Sequence, residues 1–241
     1  MTPTDPRLAA LYDGDNPDGP DHDYFRALAD RINPRVIVDL GCGTGLLTVT
    51  LVAEGRSVIG IDPDQGMLDV ARARSGNEQV RWVLGDSRRI DQTADLVVMT
   101  GNVAQHIGPD DWHRTLADIS TALRPGGRLA FESRNPSFAE WRNWTRSQTE
   151  STRSTVDGLL TEWIDASEPD EFGTVMLQAT NRWHDGGEEL VVNQPLTFRS
   201  LDAITRDLDA AGLVVDEAWG GWNGERIDPG SRLIVVEARR V

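Results

Sequence analysis

From residue 35 onward, short runs of β-branched and aliphatic residues alternate with segments of helical spacing. That rhythm restricts the chain to stacked strand–helix–strand units around a parallel sheet. The first run, Val36 to Leu40, is apolar apart from Asp39 and ends in the glycine-rich turn GCGTG at 41–45. A helix is predicted over Leu46 to Glu54, stopped by Gly55. Further buried strands follow at Ser57 to Ile61, Val80 to Leu84, Asp95 to Thr100 and Arg128 to Ser133, with helices at Met67 to Arg74 and Trp112 to Leu123. After Pro136 the pattern changes. Trp141 and Trp144, three apart, fit one face of a short helix, and three stretches near 156–165, 173–183 and 188–199 look antiparallel. In the last of these, Leu190, Val192, Leu196 and Phe198 share one face, and Asp185-Gly186-Gly187 supplies the turn before it. A helix from Ser200 to Ala211 returns the chain to the main sheet, which closes with Leu213 to Trp219 and Arg232 to Ala238.

At 241 residues the chain is long enough for one large α/β domain, and no apolar run approaches the ~18 residues of a membrane-spanning helix. The acidic N-terminus has no positive leader and no apolar core, so a cytoplasmic protein is expected, without membrane attachment. The net charge of -15 disfavours nucleic acid, whose binding rests on basic residues that release counterions. All 24 basic residues are arginine. Without lysine there is no Schiff-base chemistry and no P-loop lysine. The single Cys42 rules out an internal disulfide and a cysteine-rich metal site, and no histidine–carboxylate spacing suggests a metal.

Glycine at 41, 43 and 45 lets the backbone approach a ligand closely, and the amides of a following helix start favour a polar group. The third glycine of a GxGxxG dinucleotide turn would fall at Leu46, which disfavours NAD or FAD. Asp62, at the end of the second strand, is placed to accept from ribose hydroxyls or to cap the next helix.

The order and spacing of VDLGCGTG (38–45), GIDPDQGML (60–68), VLGDSRRI (83–90), DLVVMTGNVAQHI (95–107) and LRPGG (123–127) resemble those of the class I S-adenosylmethionine (SAM)-dependent methyltransferases. The resemblance implies a Rossmann-like, doubly wound, mostly parallel seven-stranded sheet with an antiparallel last strand, here carrying a small inserted antiparallel β lobe. On this reading residues 1–241 form one methyltransferase domain, with 1–34 an N-terminal helical segment acting as a lid and 137–200 a lobe covering the substrate. The resemblance further implies that Gly41, Cys42 and Gly43 hold the methionine part of SAM, with Asp39 orienting its amino group. Asp62 would clasp the ribose, and Asp86 the adenine amino group, with Ser87 beside it and Met67 or Pro63 packing nearby. Thr100, Gly101 and Asn102 would line the wall beside the sulfonium.

Methyl transfer from a sulfonium is an in-line displacement, so alignment in a dry site is the main requirement, and a base helps only when the acceptor proton is hard to lose. His106 is the candidate base, titrating near the ordinary histidine value of about 6.5, and Tyr12 is a candidate to close the site. Glu132, Arg134 and Asn135, at the end of the fifth strand, are candidates for substrate recognition. Trp141 and Trp144 are candidates for an aromatic wall, whereas Trp163 and Trp183 suit the lobe's own core. His22, His113 and His184 are expected at the surface. The favoured substrate is a small molecule methylated on oxygen or nitrogen. The alternatives are a protein acceptor, a non-catalytic SAM-binding module and, behind these, a nicotinamide oxidoreductase. Oligomeric state is unmarked in the sequence.

Overall fold

The computed structural model describes residues 3–241. Two helices precede the sheet, α1 (Pro6–Asp15) and α2 (Pro20–Ile32), each starting on a proline whose fixed φ suits a first helical turn. The core then runs β1 (Val36–Leu40), β2 (Ser57–Asp62), α3 (Gln65–Ala73), β3 (Val80–Leu84), β4 (Ala94–Met99), α4 (Val103–His106), α5 (Pro109–Ala122) and β5 (Leu123–Arg134). The inserted lobe holds α6 (Arg146–Thr149), β6 (Ser151–Thr155), β7 (Gly158–Ala166), β8 (Thr174–Trp183) and β9 (Glu189–Thr197). The chain finishes with α7 (Leu201–Ala210), β10 (Leu213–Trp219) and β11 (Leu233–Arg240).

Seven strands form one sheet in the order β10-β11-β5-β4-β1-β2-β3, with β11 antiparallel to both of its neighbours, and the lobe is a four-stranded antiparallel sheet β6-β7-β8-β9. Successive side chains of a strand face opposite sides, so each central strand feeds two cores. Val38, Leu40 and Ile59 pack toward Trp112, Leu116 and Ile119 of α5 and Ile204 and Leu208 of α7. Ile37, Val58, Leu96 and Val98 pack toward Phe25, Leu28 and Ala29 of α2. Burying each of these large side chains contributes roughly 1.5–3 kcal/mol, which fixes the register of the sheet. The strand order reverses between β1 and β4, and in open α/β sheets the ligand crevice opens beyond the strand ends at such a switch point.

Two elements differ from expectation. The helix predicted over 46–54 is a single 3-10 turn, Thr48–Leu51. Its run Thr48-Val49-Thr50 is β-branched throughout, and both hydroxyls bond elsewhere, Thr50 to the Leu47 carbonyl and Thr48 to Asp39. The lobe also has a fourth strand, β6, whose sequence STRST carries no apolar alternation, and Val156 lies exposed in the turn between β6 and β7.

Helix α1 lies between the sheet and the lobe and is fastened to both. On the sheet side, the Thr4 amide and hydroxyl donate to Asp64, Thr44 Oγ1 donates to Asp13 at 2.5 Å, and Arg74 pairs with Asp13. On the lobe side, Arg7 forks onto Glu188 at 2.8 and 2.9 Å and stacks on Trp183, while Arg153 reaches back to Asp15.

Candidate active site

The turn after β1 folds tightly because Gly41, Gly43 and Gly45 all take positive φ. At Gly41 the reason is also spatial: a Cβ there would lie 2.5 Å from Val103 Cγ2, at the start of α4. The amides of Gly41 and Cys42 both donate to the Ile61 carbonyl, and that of Gly43 donates to Asp62 Oδ2 at 2.8 Å. All three donors are therefore spent on β2. At 41–43 the turn offers a ligand close approach to its backbone, with the three amides already bonded. Cys42 turns its sulfur toward Gly60, away from the crevice, and burial pushes its thiol well above the usual range.

Asp62 joins two turns, accepting from Gly43 on one oxygen and from the Asp64 amide at 2.8 Å on the other. Burial raises its pKa against the pull of those two bonds. Asp39 is 1% exposed. Thr48 donates to its Oδ2 at 2.6 Å, its Oδ1 is buried without a partner, and burial pushes the carboxyl up to about 7.

Beyond β4 the chain passes through buried Thr100 into Gly101 and Asn102, both at positive φ. For Asn102 this conformation carries strain of about 1–2 kcal/mol, a cost found mostly where a site demands it. Its amide donates to Glu132 Oε1 at 2.5 Å, while its own Oδ1 is buried without a partner. Glu132 is 1% exposed, its Oε2 also lacks a partner, and burial, reinforced by the charge of Asp21, pushes it up to about 7. Two residues along, Arg134 donates to Gln105 Oε1 at 2.9 Å, pairs with Glu140 at 2.9 Å and lies 5.3 Å over Trp144. Gln105 Nε2 is buried and unpartnered.

Tyr12 of α1 spans the crevice, with ring and hydroxyl 4.0 Å from where Cβ atoms would stand on Gly43 and Gly101. Burial raises its pKa, with Asp62, Asp13 and Glu132 adding to the effect. His106, at the end of α4, is exposed, next to buried Ala104 and Gln105. Desolvation and then the Arg134 guanidinium bring it down to about 4, replacing the expected value near 6.5.

Other expected residues are occupied elsewhere. Both oxygens of Asp86 accept from Arg88, at 2.6 to 3.1 Å, and the Arg88 pairing holds the carboxyl below its usual range. Arg88 is itself exposed, so an adenine amino group competes only with a solvated guanidinium. Ser87 Oγ bonds Asp118 at 2.7 Å and receives Arg114, which fastens it to α5 and away from the crevice. Pro63 is exposed and Met67 half-buried on the first turn of α3. Asn135 spends its amide on the Asp228 and Ser231 carbonyls and its oxygen on the Ser137 amide, so it anchors the loop before β11 and is no substrate ligand. Trp141 stacks on Phe198 at 4.7 Å in the small core under the lobe with Val175 and Leu196, while Trp144 bridges that core to Arg134. Trp163 is held by Arg146 and Arg182. His22 is buried and bonded to Asp18 at 3.0 Å, contrary to its expected surface position. Unforeseen contributors are Gln105, which sits inside the quoted 95–107 segment, Asp21, and Arg199, which donates to the Ala104 and Ile107 carbonyls and so holds the segment bearing His106. Nothing in the local sequence of Arg199 marks that long-range bond.

Three buried carboxylates, Asp39, Asp62 and Glu132, thus surround the switch point, none of them in an ion pair with an arginine, although the Arg134 charge is felt at Glu132. In a chain with 24 arginines, this arrangement suits a cationic ligand. SAM, with its sulfonium and its amino group, has that character. Residues 37–127 match the methyltransferase domain family. That match runs from β1 to the first residues of β5 and agrees with SAM as the ligand at the switch point. The chain is 41% identical over 98 residues to an uncharacterized methyltransferase of Mycobacterium tuberculosis, a match spanning 39% of this chain and 38% of that relative. It is 26% identical over 216 residues to the cypemycin N-terminal methyltransferase of a Streptomyces species, spanning 87% and 84% of the two chains. The chain also shares its fold with the CcbJ methyltransferase from Streptomyces caelestis, at a TM-score of 0.78 and 22% identity, covering 100% of this chain and 98% of that one.

Proposed function

We propose that this protein transfers the methyl group of SAM to a nitrogen or oxygen of a small-molecule acceptor, held between the ends of β4 and β5 and the inner face of the lobe. The observation that carries this reading is the cluster of buried polar atoms without partners. Asp39 Oδ1 stands on the β1 side of the crevice, and Asn102 Oδ1, Gln105 Nε2 and Glu132 Oε2 stand on the β4–β5 side. An unsatisfied buried polar atom costs about 1–3 kcal/mol, and four of them at one switch point argue for a ligand that completes them.

SAM supplies an electrophilic methyl group. The chain's residues supply position. Gly41 and Gly43 let the cofactor approach the turn, Asp62 is the acceptor for its ribose hydroxyls, and Asp39 lies behind the turn toward its amino group. Tyr12 covers the crevice and limits water, which strengthens every electrostatic contact inside. His106, neutral at physiological pH, lies beside the acceptor with Gln105 and Arg134. The chain's acidity, with a net charge of -15, favours a small acceptor over nucleic acid. The test is incubation of the protein with methyl-labelled SAM and a metabolite extract. The expected result is a low-molecular-weight product enlarged by one methyl group, and SAM binding without any labelled product would overturn the reading.

A further inference from the structure

Glu132 has the properties of a carboxylate built to meet a cation that is absent from the fold itself. It is 1% exposed at the carboxyl end of β5, with Oε1 held by the Asn102 amide at 2.5 Å and Oε2 buried and unpartnered. Residues 132 and 134 of a strand point to the same side, so Arg134 is the nearest candidate counter-ion. Yet Arg134 is committed to Glu140 and Gln105. The neighbouring α2 adds the negative charge of Asp21. Arg134 acts on Glu132 only through space, without pairing with it, and a buried carboxylate with no direct ion pair and an unpartnered oxygen is expensive unless a ligand completes it. Glu132 is also on the acceptor side of the switch point, across β4 from the β1 turn.

Resting on the methyl-transfer reading above, we propose that the acceptor is a primary or secondary amine, bound as its ammonium ion, and that Glu132 is the catalytic residue that binds it and takes its proton. The ammonium gives one proton to Glu132 Oε2, which leaves a lone pair on nitrogen. That pair forms the new N–C bond as the C–S bond of SAM breaks, and the electrons of the broken bond remain on sulfur as a neutral thioether. The product leaves as a methylated ammonium, and the proton on Glu132 passes to solvent. One positive charge disappears from sulfur and one proton is released overall, so the step needs no metal and no oxidant. A hydroxyl acceptor would bring no charge to this site. Selectivity for amines over alcohols of the same shape follows from Glu132 itself.

The test uses the full chain with methyl-labelled SAM and two portions of one metabolite extract, the second treated with an acetylating active ester that blocks primary and secondary amines and leaves hydroxyls free. Label entering a product from the untreated portion only is the expected result. Label entering equally from both portions overturns the amine assignment while leaving methyl transfer intact, and no label from either overturns both. With the labelled amine in hand, Glu132→Gln keeps an acceptor for the Asn102 amide. It is expected to lower kcat/KM by roughly 10²-fold while SAM affinity measured by calorimetry changes less than about threefold. Glu132→Asp should recover part of the loss. A Glu132→Gln variant that loses SAM affinity tenfold or more, with its preference for the amine over the matching alcohol unchanged, would reassign Glu132 to the cofactor and overturn the proposal.

Discussion

The two sides of the crevice are built on opposite principles. On the β1–β2 side, the turn's polar groups satisfy one another, with Asp39 Oδ1 the exception: the amides of 41–43 are spent on Ile61 and Asp62, and Asp62 ties two turns together. On the β4–β5 side, Asn102, Gln105 and Glu132 each keep a buried atom without a partner. The first side is a finished template that presents a shape. The second is an incomplete one that waits for chemistry. A site assembled this way can keep one cofactor while its acceptor side changes, because edits to one set of bonds leave the other intact.

The contrast can be broken or sharpened by substitution. Gly41→Ala attacks the finished side through its geometry. It must hold an alanine at φ +78° with Val103 2.5 Å from the new Cβ, so stability should fall by about 3 kcal/mol in denaturant unfolding and SAM binding should fall with it. An unperturbed variant would show that the close approach of α4 is not required. Asp62→Ala should weaken SAM binding by roughly 1–3 kcal/mol by calorimetry, and unchanged affinity in a folded variant would remove Asp62 from the site.

Asp39→Asn tests how burial is balanced. The folded carboxyl is pushed up to about 7 against about 3.9 in an unfolded chain, so the folded state holds the proton more tightly. The stability this contributes is complete below about pH 4 and is lost as pH rises through about 7. Relative to wild type, Asp39→Asn should flatten that loss by a few degrees in Tm across the window, and parallel melting curves would refute it. Asp86→Ala should cost SAM binding less than Asp62→Ala, about 1 kcal/mol or below, since adenine offers one neutral donor and Arg88 already competes for the carboxylate. The smallest effect is expected at His106. With its pKa near 4 it is already neutral and weakly basic at pH 7, so His106→Ala should stay within about threefold of wild type in single-turnover rate. A tenfold loss would make His106, in place of Glu132, the base on the acceptor side.

What could be read from the sequence was what lies contiguously in it. The parallel core was legible because each strand is a dense apolar run followed by glycine, proline or aspartate, and Asp39, Asp62 and Glu132 stood out as charges at the ends of such runs. The 3-10 turn at 48–51 was hidden because its helix-like apolar spacing conceals the preferences of Thr48 and Thr50. Strand β6 was hidden because a polar edge strand has no period to detect. The engagement of Asn135 and Ser87, the burial of His22 and the role of Arg199 all depend on partners that the fold brings together from distant or non-obvious positions, such as Asn135 with Ser231 and Arg199 with Ala104.

The fastening of α1 is unequal. Its sheet-side bonds, through Asp13 and Asp64, are half-buried, whereas Glu188 and Asp15 on the lobe side are exposed and open to screening by salt. When thermal motion or ionic strength loosens the helix, the lobe-side bonds yield first, so Tyr12 stays over the β1 turn while the acceptor side opens. If the methyl-transfer reading proposed above holds, the acceptor would exchange by breaking only these weaker lobe-side bonds, whereas cofactor release would need the whole N-terminal helix to lift away.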